Sequence, residues 1–355
     1  MFSKKQKKVV NIGVVGAGFV SQLAHIANYA LLDNCRVVAL AELKPRLRKL
    51  VAQRYGIVRT YPSHKELLDD QEVEAVVVVT QRPMIGPVAL DCLNKGKHLI
   101  TEKPMAATLR QAQILVKAAL KQKVCYAVGY MKRYDEGIQQ AKKIIDELLK
   151  TGELGPIIYV RAHCFMGDPY CNIDGNIVTG EKIHKDIPTW PIAPSWIREN
   201  QESEYAWFLN VYCHNINLLR FLLGSTPSVD YVRFDRKDAR VALLDFGEYE
   251  AVLEAGSFTY HSWDEVTEIY FARGYLKIET PPPFLRNASA QIKLYKGKKE
   301  QQIYIPQYRR LWAFRRQAES FIACILEKRQ PIASGFDALQ DMRLIEEMWR
   351  MEYRR

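Results

Sequence analysis

The stretch Val9-Val-Asn-Ile-Gly-Val-Val15-Gly16-Ala-Gly18-Phe-Val-Ser21 runs an apolar segment into a glycine turn and out into a helical pattern. A strand, a tight glycine turn and a helix in this order form the opening of a dinucleotide-binding βαβ unit. Gly16 would make the turn. Gly18 would let backbone approach a pyrophosphate seated on the helix N-terminus. The third position is Ser21, small enough for helix–strand packing. A plain structural turn is the alternative reading, and the strand–turn–helix context weighs against it.

Beyond this turn, residues 9–15, 36–41, 75–80, 98–101 and 124–129 read as strands. Residues 20–32, 45–55, 63–69, 87–94 and 109–121 read as helices between them. The run Ala75-Val-Val-Val-Val-Thr80 suits a strand buried on both faces, as in a parallel sheet. Ser63 followed by Glu66 is a capping-box pattern. The alternation predicts an N-terminal α/β domain with a doubly wound parallel sheet over residues 1–130. After a helix at 135–150 the pattern changes to strands at 157–165, 228–234, 239–246, 251–260, 265–272, 275–279, 291–295 and 301–305. Helices are expected at 210–223, 311–327 and 336–351. Residues 131–355 are therefore expected to be an α+β domain with a large, mainly antiparallel sheet that has one solvated or partner-covered face.

A chain of 355 residues suits two domains, and its 48% hydrophobic content supplies a core and argues against disorder. No apolar run approaches the roughly 18 residues of a membrane span. The opening Met-Phe-Ser-Lys-Lys-Gln-Lys-Lys lacks the apolar region of a signal peptide, so a cytoplasmic protein is expected. Cysteines 35, 92, 125, 164, 171, 213 and 324 are odd in number and contain no CxxC pair. A disulfide framework and a zinc site are disfavoured, and no metal is expected. The net charge is +11, of which Lys4, Lys5, Lys7 and Lys8 lie in an expected tail, leaving 11 − 4 = +7. No nucleic-acid motif accompanies it, so the excess reads as a basic surface or an attraction for anionic ligands.

Glu42 ends the second strand, 24 residues past Gly18. An acidic residue there accepts from the adenosine ribose and repels a 2′-phosphate, which favours NAD; Lys44 and Arg46 leave NADP open. Lys103, in Thr101-Glu-Lys-Pro104, follows a strand end, where a lysine can donate to a substrate oxygen; a surface lysine is the alternative. Asn210, His214 and Asn217 fall at i, i+4 and i+7 on one helical face, which suggests a pocket lining; a core histidine is the alternative. Residues 167–204 form a long segment carrying Tyr170, His184, Trp190 and Trp196. Its rings could stack on a sugar or nucleobase, or the segment could be a packing arm across a neighbouring subunit.

Taken with Gly96-Lys-His98, Arg133-Tyr134, Gly152-Glu-Leu-Gly155, His214-Asn-Ile-Asn-Leu-Leu-Arg-Phe-Leu-Leu-Gly224 and the closing Phe321, Pro331 and Asp337-Ala-Leu339, these motifs resemble the Gfo/Idh/MocA family nearly end to end. The resemblance implies a Rossmann domain plus an open-faced α/β domain. It implies hydride transfer between NAD(P) and a sugar, sugar-derivative or cyclitol hydroxyl or ketone. Lys103 and His214 match the family's usual catalytic pair. Gly16, Ala17, Gly18, Phe19, Val20, Glu42, Thr80, Glu102 and Lys103 are the expected cofactor contacts. Arg133, Trp190, Trp196, Asn210 and His214 are the expected substrate contacts. A homodimer or homotetramer through the C-terminal sheet is implied, with no nucleic-acid or membrane partner.

The chain departs from the family pattern in several places. Asn210 and Asn217 stand where carboxylates are common, Glu204-Tyr-Ala-Trp207 replaces a glycine-rich stretch, and Thr80-Gln-Arg-Pro-Met-Ile85 replaces a motif ending in histidine. Loss of carboxylates beside Arg82 and Arg133 would suit an anionic sugar. Two other readings stay open: redox-neutral glycoside cleavage with tightly held NAD, and a sugar- or dinucleotide-sensing regulator without catalysis.

Overall fold

Six short strands build the first sheet: β1 (Val10–Val15), β2 (Cys35–Ala41), β3 (Arg59–Tyr61), β4 (Ala75–Val78), β5 (His98–Thr101) and β6 (Tyr126–Val128). The computed structural model describes residues 8–171, 173–183, 187–236, 238–258, 262–297 and 300–354. Lys4, Lys5, Lys7, His184 and the end of the strand expected at 251–260 lie outside them. All pairings in this sheet are parallel, in the order β3-β2-β1-β4-β5-β6. Every residue of β4 is buried, as a β-branched run covered on both faces requires. The strand order reverses between β1 and β4, and ligands of such sheets bind at that switch point, beyond the carboxyl ends of the strands.

Between the strands lie a π-helical segment (Ser21–Ile26) leading into α1 (Ala27–Tyr29), then α2 (Pro45–Tyr55), α3 (His64–Leu68), α4 (Arg82–Asn94) and α5 (Leu109–Gln122). Pro45 opens α2, and Gly56 closes it at φ 65°. Ser63 accepts from the Glu66 N–H, while Glu66 takes the Ser63 hydroxyl rather than the backbone N–H of a full capping box.

Two differences from the sequence reading have physical causes. β3 has only three residues, Arg-Thr-Tyr, too few for a periodic signal. Helix α4 starts five residues before the expected Pro87, because Pro83 fits its first turn and the Pro87 interruption is compensated. Pro87 has no N–H for the Pro83 carbonyl four residues back; the Trp190 N–H takes that carbonyl at 2.8 Å.

The chain divides into two compact units. One comprises Met1–Gly129, Asp174–Glu202 and Phe314–Leu339; the other comprises Tyr130–Ile173, Ser203–Ala313 and Gln340–Arg355. The single division expected after residue 130 therefore differs from the structure in two segments, 174–202 and 314–339. The first unit's core joins Ile12, Val14, Leu40 and Val77 of the sheet to Phe321 and Ile322 of α8 (Ala313–Glu327).

The second unit holds α6 (Glu136–Thr151), β7 (Ile157–Met166), α7 (Glu202–Leu223) and β8 to β14, and most of α9 (Gly335–Tyr353). Strands β8 (Ser228–Arg233), β9 (Ala239–Asp245), β10 (Glu250–Ser257), β11 (Asp264–Phe271), β12 (Gly274–Glu279), β13 (Gln291–Gly297) and β14 (Gln301–Tyr304) pair in the order β14-β13-β12-β11-β7-β10-β9-β8. Only β10 and β7 run parallel. Val160, Leu253, Ile269, Leu276 and Ile292 are buried on these strands, while Arg161, Glu254 and Tyr275 remain partly or fully accessible, the alternation of a sheet with one covered face.

Trp349 of α9, wholly buried, packs its ring 5.5 Å from Tyr205 and Phe234 and 5.9 Å from Phe208. Such clusters combine large buried area with edge-on ring contacts. Trp349→Ala should lower unfolding free energy by about 3–5 kcal/mol. Urea titration followed by circular dichroism should show the midpoint falling; an unchanged midpoint would mean that Trp349 does not anchor this unit.

Candidate active site

Strand β1 delivers the chain to Gly16, whose φ is +95°. A Cβ there would lie 2.2 Å from the Val79 carbonyl oxygen, a clash between backbones that no rotamer can relieve. Gly18 differs: a Cβ there meets nothing within 4 Å, so the turn opens onto free space above the helix start. Ser21 donates to the Gly16 carbonyl at 2.5 Å, and Gln22 Nε2 donates to the Ala17 carbonyl at 2.7 Å. The serine is therefore a brace for the turn as well as a small packing residue. Phe19 and Val20, both half-buried, continue from the turn, and Thr80 Cγ2 lies 3.6 Å from the position a Gly16 Cβ would take.

Beside the turn, Glu42 accepts from the Ala17 N–H at 2.8 Å and from the Lys44 N–H at 3.0 Å. The carboxylate thus stands at the rim of the glycine turn. Arg48 Nη1 donates to the Glu42 carbonyl at 2.6 Å.

At the carboxyl end of β5, Glu102 accepts from His25 Nε2 at 2.7 Å and from the Lys103 N–H at 3.2 Å. Burial pushes the Glu102 carboxyl up. The hydrogen bond and charge of His25, with the Lys103 charge and N–H, outweigh burial and hold it below the usual carboxylate range. His25 is buried and packs edge-on against Phe314. Lys103 is half-buried and precedes Pro104 across a cis peptide bond. Sequence reasoning missed His25, because nothing in its own helix marks it as a partner for a strand end 77 residues away.

In the second unit, Asn210 and His214 are half-buried on α7, and His214 packs edge-on against Tyr130 at 5.9 Å. Asn217 is buried instead. Its Oδ1 accepts from Arg133 Nε at 2.6 Å, and its Nδ2 donates to Asp341 at 2.7 Å. Arg220 bonds the same Asp341 at 2.5 Å. The expectation that Arg133 contacts substrate is corrected here. Only 3% exposed, its guanidinium bonds the Asn217 side chain and carbonyl and lies over the Phe221 ring, so it cross-links the unit's interior. The argument for an anionic substrate loses Arg133 and Asn217 as support, because α9 supplies the Asp341 carboxylate where Asn217 lacks one. Sequence reasoning also missed Lys132, buried against Glu265 at 2.5 Å with Asn215 and Trp263 donating to the same carboxylate.

Of the two tryptophans, Trp190 belongs to the first unit's packing. A Cβ on Gly86 would sit 2.0 Å from its ring, so the ring lies directly on α4. The Pro191 carbonyl accepts from Gln111 at 3.0 Å. The segment here packs against helices of its own unit. Trp196 is half-buried in the same segment.

Residues 10–130 match the profile of GFO_IDH_MocA, the oxidoreductase family with an NAD-binding Rossmann fold. The match covers the dinucleotide-binding part of the chain. The chain is 34% identical over 157 residues to an inositol 2-dehydrogenase/D-chiro-inositol 3-dehydrogenase of Lacticaseibacillus casei, covering 43% of this chain and 44% of that protein. It is 25% identical over 297 residues to an inositol 2-dehydrogenase of Burkholderia cenocepacia (strain HI2424), covering 79% and 78%. The match thus spans less than half of the first relative's length. Two solved structures share the fold over nearly the whole chain. One is levoglucosan dehydrogenase in complex with NADH and levoglucosan (TM-score 0.76, 16% identity, 98% of each chain). The other is a 3-ketoreductase from Actinomadura kijaniata in complex with NADP and TDP-benzene (TM-score 0.73, 17% identity, 97% of this chain and 98% of that one).

The first unit fits a dinucleotide on its own geometry. The open space at Gly18 and the helix start behind it suit a pyrophosphate, and the Glu42 carboxylate at the rim suits an adenosine ribose. Among the described residues, no group of three or more His, Cys, Asp or Glu side chains could hold a metal ion. No described helix is long and apolar enough to cross a membrane.

The depressed Glu102 carboxyl has a consequence for stability. A carboxyl whose folded pKa lies below its unfolded value stabilises the fold above about pH 4.3 and loses that share as pH falls through the folded value. Glu102→Gln should therefore be less stable than the native chain by about 1–3 kcal/mol at pH 7. Urea midpoints should converge below about pH 4. A difference that held constant from pH 7 to pH 3 would show that Glu102 acts through packing rather than charge.

Proposed function

We propose that this protein is an NAD(P)-dependent oxidoreductase that moves a hydride between the nicotinamide and a hydroxyl or ketone of a sugar, sugar derivative or cyclitol. The observation that carries the reading is the glycine turn, opening onto free space at Gly18 with Glu42 bonded to its rim. The inositol dehydrogenases that match by sequence support a polyhydroxylated ring as substrate.

When bound, the nicotinamide cofactor supplies the hydride acceptor or donor. Gly16, Ala17, Gly18, Phe19 and Val20 would bind its pyrophosphate, Glu42 its adenosine ribose, and Thr80, Glu102 and Lys103 the rest. Glu102, fixed by His25, would keep the Lys103 backbone in place at the end of β5. Lys103 Nζ would donate to the reacting oxygen and polarise it. His214 would take the hydroxyl proton on a ring nitrogen in oxidation and return it in reduction. Asn210, half-buried four residues before His214 on the same helix face, would hold a substrate hydroxyl. The first unit would act as the dinucleotide-binding domain and the second as the substrate domain. A cytoplasmic homo-oligomer completes the proposal. Its open sheet face carries Tyr270, Tyr275 and Tyr295 in a row, with the Tyr275 and Tyr295 rings stacked at 5.3 Å, an aromatic surface suited to a second copy.

The test is growth of the reduced-nicotinamide absorbance band when the protein meets NAD and a panel of sugars and cyclitols. Net cofactor reduction would separate this reaction from redox-neutral glycoside cleavage, and its absence with every ring alcohol would remove the dehydrogenase reading. His214→Ala should slow turnover by about 10²–10⁴-fold and leave dinucleotide affinity nearly intact. Lys103→Ala should slow it comparably. Normal turnover in His214→Ala would return that ring to a packing role against Tyr130.

A further inference from the structure

Helix α2 begins among three cations, Lys44, Arg46 and Arg48, beside the acidic end of β2. A helix start with basic side chains at this point of a Rossmann fold suits the 2′-phosphate of NADP. The helix lacks a local cap, because Lys44 stands at the N-cap with no side-chain hydrogen bond. A carboxylate from far along the chain takes that place. Glu181 Oε1 accepts from the Arg46 N–H at 2.9 Å, and its Oε2 accepts from the Leu47 N–H at 3.0 Å and from the Thr179 hydroxyl at 2.8 Å.

The segment that brings it is pinned to the dinucleotide turn. The Ile177 N–H donates to Gln22 Oε1 at 2.8 Å, and the Ile177 carbonyl accepts from Gln22 Nε2 at 2.9 Å. The same Gln22 amide braces the Ala17 carbonyl of the glycine turn. Arg54 donates to the Gly175 carbonyl. Two carboxylates, Glu42 and Glu181, therefore occupy the backbone N–H groups of residues 44, 46 and 47. One of the three cations, Arg48, is turned to the Glu42 carbonyl.

We infer that Glu181 is a specificity-determining residue for the cofactor: its carboxylate fills the anion position at the start of α2, excludes a 2′-phosphate and makes the chain select NAD(H) over NADP(H). The inference rests on the proposal that the glycine turn binds a dinucleotide. An incoming phosphate would have to displace Glu181 from its two N–H donors or lie beside it at like charge. NAD, which carries a hydroxyl at that carbon, meets neither penalty. Glu42 alone leaves Lys44 and Arg46 able to compensate; the second carboxylate removes that route.

The experiment measures equilibrium binding of NADH and NADPH to the full chain by nicotinamide fluorescence, for the native protein, Glu181→Gln and Glu181→Ala. Glutamine keeps an acceptor oxygen for the helix start and removes the charge. The native protein should bind NADH at least about 10-fold more tightly than NADPH. Glu181→Gln should tighten NADPH by about 5- to 10-fold at low salt and leave NADH within about 2-fold, with a smaller gain at high salt. An NADPH to NADH ratio unchanged in both variants, with a lowered melting temperature, would assign Glu181 to helix capping alone and overturn the inference while the dinucleotide reading stood. Failure of the native chain to bind either dinucleotide would overturn the reading and the inference together.

Discussion

The contact between Gly16 and the Val79 carbonyl sets the geometry of the dinucleotide turn. Strands β1 and β4 are neighbours at the point where strand order reverses, and the chain leaving β1 must pass the residue that comes after β4. At that crossing a Cβ would lie 2.2 Å from a backbone oxygen, so only glycine passes, at φ +95°. The residues after Gly16 inherit this constraint. The turn's carbonyls point back and must be satisfied, which Ser21 and Gln22 do from the π-helical first turn. The N–H of Ala17 points to the rim, where Glu42 receives it. A π-helical turn widens the helix locally, and such turns recur at functional sites. Here it accompanies the burial of Ser21, Gln22 and His25.

Each unit also buries ion pairs, one of them next to Lys103, a residue proposed to act, and the others within the interior network of Arg133 and Asn217. His25 and Glu102 adjoin Lys103, Lys132 and Glu265 adjoin Arg133, and Arg220 and Asp341 adjoin Asn217. Removing charges from water costs several kcal/mol per ion, and a pair repays this only with further hydrogen bonds. Those bonds are present. Glu265 receives Asn215 and Trp263 besides Lys132, and Asp341 receives Asn217 besides Arg220. Networks satisfied in this way restrict side chains to one arrangement, which preorganisation of a reacting group requires. The cost of losing one partner is correspondingly high, because the other charge stays buried.

Sequence patterns revealed the sheet classes, most strand positions and the glycine turn, because those features arise from local periodicity and from a residue with special backbone freedom. They were poor guides to long-range side-chain commitments. Arg133 has the same sequence appearance whether it faces a ligand or an interior amide. Burial and the Asn217 bonds decide that, and these depend on a helix 84 residues away. Asn217 was legible as a departure from the family pattern, but the compensating Asp341 lies 124 residues further along and carries no motif. The short β3 and the early start of α4 escaped for local reasons: three residues show no period, and a proline at 87 reads as a boundary unless another donor is known.

The same physics explains how the described residues of segment 174–202 are held with little helix or strand. An irregular loop of this size loses conformational entropy with no ladder to offset it. It gains by meeting backbone groups that the helices of its own unit leave unsatisfied. The Pro83 carbonyl lacks a donor because Pro87 has none, and the Trp190 N–H provides one. The first turn of α2 lacks a local cap, and Glu181 provides it. Gln111, having received the Ala107 N–H on its oxygen, places its amide hydrogen on the Pro191 carbonyl. Two helices, α4 and α2, are thus completed by one traverse, and a side chain of α5 satisfies a carbonyl of the segment in return. Unlike ordinary helix caps, these partners come from a segment that insertion or deletion could change without disturbing the sheet. An acidic residue on that segment can therefore alter the charge beside the cofactor turn while the Rossmann core stays the same.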